Sequence, residues 1–439
     1  MNQIAIFWDE SSLWGLLVWR AAVALGFPYH LVKGIEIAQG GLSGKFSLLI
    51  VPGGTARLKS LCLGEAGHRA IREWVAAGGN YLGLCGGAGL GLSNGGNPAR
   101  TAMTGSGLGL CPWHRAEITE WIQHFTSGHV PVRVGTHPLV PESMAGTLAN
   151  LPIWWPGRFA APGNEDGVSV LGRYEAGEIQ SFPEDLCIAD LPLCSLSASV
   201  LEQWKEMYGV SLAPEFLYGQ PCVLHGAFGR GTYTLSYSHL ETPGSAAANR
   251  WFAHMVRRLS GVEQTGMSCD VVPDWDPEIM PVLWDDADLL RARAEVEQLI
   301  RLGLAQGLLF ERSPWLVGWR ARVPGAGLNT LRVSLCALTG TRPTPDGERL
   351  WKERREIFCR DMEAFRQGVE TLLLGQRLSF ITPEAVPLKV LEKQRASLFG
   401  SPMQGGGLYK AVRDVIDDLL YCNLGGNEHD DGARPEERG

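Results

Sequence analysis

Asn80-Tyr81-Leu82-Gly83-Leu84-Cys85-Gly86-Gly87-Ala88-Gly89-Leu90-Gly91 is the stretch whose reading decides the fold. A short apolar run that reads as a strand stops in Gly-x-Cys-Gly-Gly, and small residues then open a helix. A nucleophile mounted on so sharp a strand-to-helix turn needs tiny neighbours, because its own backbone is strained and the two elements approach closely. The helix that follows points its first N–H groups at the sulfur, which favours thiolate over thiol. Taken alone, Cys85 fits a buried cysteine in a glycine-rich turn equally well. Far downstream, however, Tyr237-Ser238-His239-Leu240-Glu241 places a His and a Glu two residues apart, just past a strand-like run. Cys85, His239 and Glu241 would then supply a nucleophile, a base and a group that orients the base.

Outward from Cys85, the preceding chain alternates strand and helix. Residues 3–7 form a short apolar run, and Asp9-Glu10-Ser11-Ser12 then signals a helix start. That helix runs to about Leu25 and is ended by Gly26 and Pro28. Tyr29–Val32 and Phe46–Val51 read as further strands, the latter ending in Pro52-Gly53-Gly54, and residues 65–77 read as a helix stopped by Gly78-Gly79. Continuous apolar strands separated by helices imply a parallel sheet covered on both faces. From about residue 115 the texture changes to short alternating segments. Ala116–Trp121, Val130–Val134, Ile153–Trp155, Val168–Tyr174, Pro221–Ala227 and Gly231–Ser236 read as antiparallel strands. An amphipathic helix at 247–259 closes this part. A Pro/Asp-rich stretch, Asp270–Pro277, leads on to helical segments near 284–305, 346–375, 383–398 and 406–421. Three regions follow: an α/β domain over 1–261, a mainly helical region over 262–424, and a polar tail over 425–439 expected to be disordered.

The 439 residues are 45% hydrophobic and 20% charged, the composition of a globular protein with room for two domains. A net charge of −8 without a Lys/Arg cluster argues against nucleic-acid partners. The ten cysteines are scattered with no Cys-x-x-Cys pair, and the chain opens on a strand rather than a signal peptide. The expected compartment is therefore the reducing cytoplasm. Leu13–Phe27 is too short to span a bilayer and contains Arg20, so no membrane association is expected.

Four stretches carry a family resemblance: Leu-Ile-Val-Pro-Gly-Gly (49–54), Val-Ala-Ala-Gly-Gly-Asn-Tyr-Leu-Gly-Leu-Cys-Gly-Gly (75–87), Ile-Trp-Trp-Pro-Gly-Arg-Phe (153–159) and Gly-Arg-Gly-Thr-Tyr-Thr-Leu-Ser-Tyr-Ser-His-Leu-Glu (229–241). Over roughly residues 3–260 the chain resembles the class I glutamine amidotransferase-like superfamily. Within it, the chain is most similar to the domain found at the N-terminus of biotin–protein ligases and in stand-alone bacterial proteins. The resemblance implies a flavodoxin-like α/β fold: a parallel sheet with helices on both faces plus antiparallel strands, followed here by the mainly helical C-terminal region. It implies Cys85 as nucleophile, His239 as its base and Glu241 as the holder of the imidazole tautomer. The backbone amides of Gly54 and Gly86 become the oxyanion hole, although Pro-Gly-Gly also makes a plain strand-end turn. Gly53 and Arg158 become candidates for substrate contact, Arg158 toward an anionic group or else as a surface turn residue. Leu240 stands where many amidotransferases have Pro, and Gly86 where the narrower family often has Ala. No signature of a glutamine side-chain pocket is found.

Other signals point elsewhere and are weak. Gln39–Phe46 is one residue short of a phosphate loop and is followed by a strand, and no dinucleotide fingerprint fits the elbow. Cys111, His114, His124, His129 and His137 lack zinc-site spacing, so neither metal nor cofactor is expected. No adenylate-forming loop for biotin ligation is present. The sequence thus fits a hydrolase or amidotransferase-like enzyme that attacks an amide or ester carbonyl of a small molecule or peptide through an acyl-thioester. An amidotransferase would need a separate synthase as partner. The alternative is a binding or regulatory module that keeps the fold without turnover, with its C-terminal helices as the partner surface.

Overall fold

A computed structural model describes residues 3–94, 106–117, 121–163, 167–177, 184–262, 269–320, 322–401 and 406–425. The first half of the sheet is built from β1 (Ile4–Phe7), β2 (Tyr29–Val32), β3 (Leu48–Val51) and β4 (Asn80–Leu84), interleaved with α1 (Ser12–Ala24), α2 (Gly34–Ala38) and α3 (Ala56–Ala76), and followed by α4 (Gly86–Gly91). Further strands are β5 (His114–Arg115), β6 (Thr126–Val134), β7 (Leu148–Trp154), β8 (Phe159–Ala160), β9 (Val168–Tyr174), β10 (Cys187–Ile188), β11 (Leu191–Pro192), β12 (Pro221–Phe228) and β13 (Gly231–Ser236). Helices α5 (Ala198–Tyr208) and α6 (Ala246–Ser260) complete this part. Among the described residues eleven strands join in one sheet, ordered β11-β10-β6-β9-β12-β13-β4-β3-β1-β2, with β7 hydrogen-bonded to β6.

Strands β2, β1, β3, β4 and β13 run parallel. Beyond β13 every pairing is antiparallel. The antiparallel strands therefore extend the parallel sheet rather than forming a unit of their own, and β13 is the hinge strand, antiparallel to β12 on one side and parallel to β4 on the other. The continuous apolar texture of β1 and β3 has a direct cause. Ile4, Ile6, Leu48 and Ile50 point into a core shared with α1 and α6, while Ala5, Phe7, Leu49 and Val51 point into a second core under α3.

The C-terminal region comprises α7 (Ala287–Ala305), a hairpin of β14 (Leu309–Ser313) and β15 (Leu316–Trp319), α8 (Gly325–Thr339), α9 (Pro345–Ile381), α10 (Leu388–Phe399) and α11 (Gly407–Leu424). The hairpin and α8 are additions to the helices legible in the sequence. Helix α8 is buried on all sides, so it shows no polar face and no amphipathic period to read. Helix α3 starts earlier than expected, at Ala56, with a kink at Gly64 where φ is +57°. Apolar side chains of α8, α9 and α11 belong to the same core as α1. Helix α11 also docks on the carboxyl ends of β1 and β2. Trp8 Nε1 donates to the Asp417 carbonyl at 3.0 Å, and Lys33 Nζ pairs with Asp418 at 2.6 Å. Of the strand expected over Ala116–Trp121, residues 118–120 lie outside the described residues, as does the tail beyond 425.

Candidate active site

Strand β4 delivers Cys85 to the carboxyl edge of the sheet with φ +48° and ψ −103°, a conformation that side-chain-bearing residues rarely adopt. Such strain costs about 1–3 kcal/mol and persists where the surroundings over-determine it. Here the Cys85 N–H donates to the Ser236 carbonyl at 2.7 Å, and its own carbonyl accepts from Gly89 N–H at 2.9 Å. The sulfur-bearing residue is half-buried. Gly86 packs so closely on the next loop that a Cβ there would run into the Gly54 carbonyl oxygen. This contact explains why Gly rather than Ala follows the cysteine. Gly54, in the turn after β3, has φ +105°. A Cβ on it would stand 2.7 Å from the Glu10 carbonyl oxygen. The Gly54 nitrogen is 3.2 Å from the position a Gly86 Cβ would take, so the two backbones that carry the candidate oxyanion donors are neighbours.

His239 follows β13, with its backbone N–H on the Pro152 carbonyl of β7 at 2.9 Å. Its Nδ1 lies 2.8 Å from Glu241 Oε1, and the pair is 1% and 0% exposed. That bond places the proton on Nδ1 and leaves Nε2 as the lone pair in the neutral ring. Nε2 is buried and has no hydrogen bond. Burial alone would lower the imidazole pKa, but the Glu241 carboxylate and the Cys85 sulfur outweigh it and raise it to about 10. The turn itself is pinned by Asn249 of α6, whose Nδ2 donates to the carbonyls of Leu240 (3.0 Å) and Thr242 (2.8 Å). On its open side the His239 ring rests on Trp14, with centroids 4.3 Å apart. Gly53 lies below it, where a Cβ would come within 3.1 Å of Cε1.

Trp14 begins an aromatic wall. Its ring centroid is 5.3 Å from that of Trp154, and Trp154 in turn meets Trp155 and Trp319 of β15 at 5.6 and 5.9 Å. Trp155 has φ +49° and is 37% exposed, whereas Trp154 is buried with its Nε1 unpartnered. Arg158 turns its guanidinium to the backbone carbonyls of Glu117 (2.6 Å) and Phe216 (3.2 Å), tying two loops to the strand-end segment. Tyr237 is buried, its hydroxyl has no hydrogen bond, and it senses both Cys85 and Arg115 electrostatically.

The sequence gives no sign of Lys59. This α3 residue is fully buried, donating to Ser11 Oγ at 2.7 Å and to the Asp9 carbonyl at 3.3 Å. Burial lowers its pKa to about 7 against the pull of Glu10 and Asp9. It lies next to the turn of Gly54, its Cε 3.5 Å from the Cβ position there. A lysine inside a mostly polar helix stretch reads as surface, and only the fold turns it inward. Among the described residues no group of His, Cys, Asp and Glu could hold a metal ion, and no helix is long and apolar enough to cross a membrane.

A strand–cysteine–helix elbow and a buried His–Glu pair at the end of the neighbouring parallel strand thus meet at one edge of the sheet of an α/β protein. Residues 23–94 match the family described as "Biotin-protein ligase, N terminal", the narrower group that the sequence resembles. No curated protein matches the sequence. Among solved structures, a glutamine amidotransferase is similar at 17% identity, covering 59% of this chain and 99% of its own, with a TM-score of 0.36. PurLQS from Thermotoga maritima is similar at 13% identity, with the same coverage of both chains and a TM-score of 0.36. A protein from Thermoplasma acidophilum described as a GMP synthase subunit is similar at 13%, covering 60% of this chain and 95% of its own, with a TM-score of 0.34. What the site can do follows from its own geometry.

Proposed function

We propose that the protein is a cysteine hydrolase that cleaves an amide or ester bond of a small molecule or peptide. The observation that carries this reading is the pairing of His239. Its Nδ1 is spent on Glu241 at 2.8 Å, while Nε2 is left bare and senses the strained, half-buried Cys85. The thiol proton passes first to His239, which holds it as imidazolium because its pKa is raised to about 10, and Cys85 Sγ attacks the carbonyl carbon as thiolate. The amides of Gly54 and Gly86 hold the developing oxyanion, a contribution worth roughly 3–4 kcal/mol per donor in acyl transfer. His239 then protonates the leaving amine or alcohol, and the acyl-thioester is released by water. The unpartnered Tyr237 hydroxyl and neighbouring Arg115 are the side chains offered to a polar substrate group. Ten unpaired cysteines and a thiol nucleophile fit a reducing, cytoplasm-like compartment.

The test is the pH dependence of Cys85 alkylation by iodoacetamide, read by peptide mass spectrometry in the wild type and in His239→Ala. The other nine cysteines are internal controls. Fast labelling confined to Cys85 below pH 7 and lost in the variant is the expected result. Slow labelling indifferent to His239 would reject the enzyme and leave the fold as a binding module.

A further inference from the structure

A hydrogen-bonded chain of serine, histidine and aspartate runs beside the His239 site. His129 of β6 places Nε2 3.0 Å from Ser245 Oγ and Nδ1 2.6 Å from Asp185 Oδ2. The His129 backbone N–H also donates to Asp185 Oδ1 at 3.1 Å, so the carboxylate is held at both oxygens. An Nδ1–H given to a carboxylate leaves Nε2 as acceptor for the serine hydroxyl, the polarity a general base needs. Burial would raise the Asp185 carboxyl pKa, but His129 and Arg312 hold it below the ordinary value, so Asp185 is ionised. Arg312 of β14 sits beside it, donating to the Asp185 carbonyl at 2.6 Å.

Ser245 is the residue before α6, where a serine ordinarily turns its hydroxyl onto the first-turn amides, a cap worth about 1 kcal/mol. Here the hydroxyl makes no such bond and is turned to His129 instead. The first-turn amides of a fifteen-residue helix therefore stay uncapped by a side chain, next to the oxygen that would attack. Ser245 is 7% exposed, and the His129 and Asp185 side chains are 24% and 47% exposed, so solvent reaches the group from the carboxylate side. The two sites share a wall but no residue. Pro152 pairs with His129 in the β6–β7 register, and its carbonyl accepts from His239 on the other side.

We propose that Ser245, His129 and Asp185 form a second nucleophilic centre, independent of Cys85, that acts on small carboxylic esters. Ser245 Oγ adds to the carbonyl carbon as its proton passes to His129 Nε2. The ester C–O bond breaks, and the leaving alkoxide takes that proton. Water then adds to the acyl-serine through the same base, giving acid and alcohol and regenerating the hydroxyl. The narrow access of Ser245 selects small acyl groups.

The experiment uses the full chain carrying Cys85→Ala, so that the thiol centre cannot contribute. The protein is treated with phenylmethanesulfonyl fluoride and, separately, with a small alkyl fluorophosphonate, and adducts are located by peptide mass spectrometry. The expected result is an adduct on Ser245 that disappears in His129→Gln and forms at least tenfold more slowly in Asp185→Asn. Absence of a Ser245 adduct with both reagents on folded protein overturns the proposal, as does labelling at an unchanged rate in both variants. If His129→Gln does not fold, Asp185→Asn, whose side chain is half exposed, decides alone. Cys85 is absent throughout, so failure here leaves the thiol reading untouched.

Discussion

Glu10, in the turn after β1, and Arg413, on α11, form an ion pair of 2.9 Å in which each side chain is only 9% exposed. The pair joins the two ends of the chain at the candidate site. Glu10 sits at φ +51°, and its carbonyl oxygen is the atom that leaves no room for a Cβ on Gly54. Helix α11 thereby fixes the loop against which the candidate oxyanion turn is folded. Arg413 also reaches Asp414 at 2.8 Å and Asp417 at 3.4 Å. Burial alone would lower its pKa, but the surrounding carboxylates raise it.

Removing one member of a buried ion pair strands the other, which costs about 3–5 kcal/mol. Arg413→Met should therefore lower unfolding stability in urea by about that amount, since Asp417 loses its cation and Glu10 keeps only Lys410, at 3.7 Å. Adding Glu10→Gln should recover part of the loss, with a coupling energy on the order of 1–3 kcal/mol. Strict additivity of the two changes would mean that the pair does not link α11 to the site.

Two glycines at the site differ in what a methyl would meet, and their variants should separate accordingly. At Gly86 the obstacle is the Gly54 backbone, which cannot step aside without opening the elbow. Gly86→Ala is expected to cost about 3 kcal/mol or more, visible as a lowered thermal midpoint. At Gly53 the obstacles are side chains, Trp14 Cγ at 2.8 Å and His239 Cε1 at 3.1 Å. Gly53→Ala should melt within about 1–2 kcal/mol of the wild type yet alkylate Cys85 several-fold more slowly, because the imidazole is displaced. Equal melting of both variants would contradict the contact at Gly86.

Much of this arrangement is legible in the sequence because its signals are local. Gly83-Leu84-Cys85-Gly86-Gly87 encodes an elbow whose strain and close approach admit few other residues, and fully buried β1 and β3 read as unbroken apolar runs. Val168–Tyr174 and Gly231–Ser236 appear as strands with the bounds expected of them. What escapes is set by tertiary contact. Lys59 becomes a buried amine only because α3 turns it onto Ser11 and Asp9. Helix α8 loses its period because both of its faces are covered. The His129–Ser245 bond spans 116 positions, and its histidine reads from sequence as one of several isolated rings. Arg158, read as facing either an anion or solvent, has its guanidinium on the Glu117 and Phe216 carbonyls.

The charge of Glu241 is the first of the two influences, with the Cys85 sulfur, that outweigh burial at His239. Glu241→Gln keeps the shape but removes that charge, and its amide can present N–H to Nδ1 and so favour the wrong tautomer. In a serine–histidine–aspartate triad the corresponding isosteric change costs about 10⁴ in turnover. Alkylation of Cys85 at neutral pH should fall by at least about tenfold, with the His239 pKa, followed by ring-proton NMR, dropping toward its ordinary value. A His239 pKa unmoved by Glu241→Gln would show that the carboxylate does not set the ring's protonation.

His239 and Lys59 should pull stability in opposite directions as pH rises. The His239 pKa is raised from 6.5 to about 10, so its contribution is complete below pH 6.5 and is lost as pH climbs through 10. The Lys59 pKa is depressed from 10.5 to about 7, so the folded state carries a penalty below pH 7 that fades as pH rises toward 10.5. Between pH 7 and 9 the folded protein holds a proton on His239 that the unfolded chain lacks, and lacks one on Lys59 that the unfolded chain holds. Each difference amounts to a slope of about 1.4 kcal/mol per pH unit, with opposite sign, so the wild type should be nearly flat across this window. Urea melts at pH 7, 8 and 9 should show stability rising with pH in His239→Gln, where Lys59 acts alone. They should show it falling in Lys59→Met, where His239 acts alone. Flat profiles in both variants would mean that neither group is held away from its ordinary protonation. The imidazole beside Cys85 would then be neutral at pH 7.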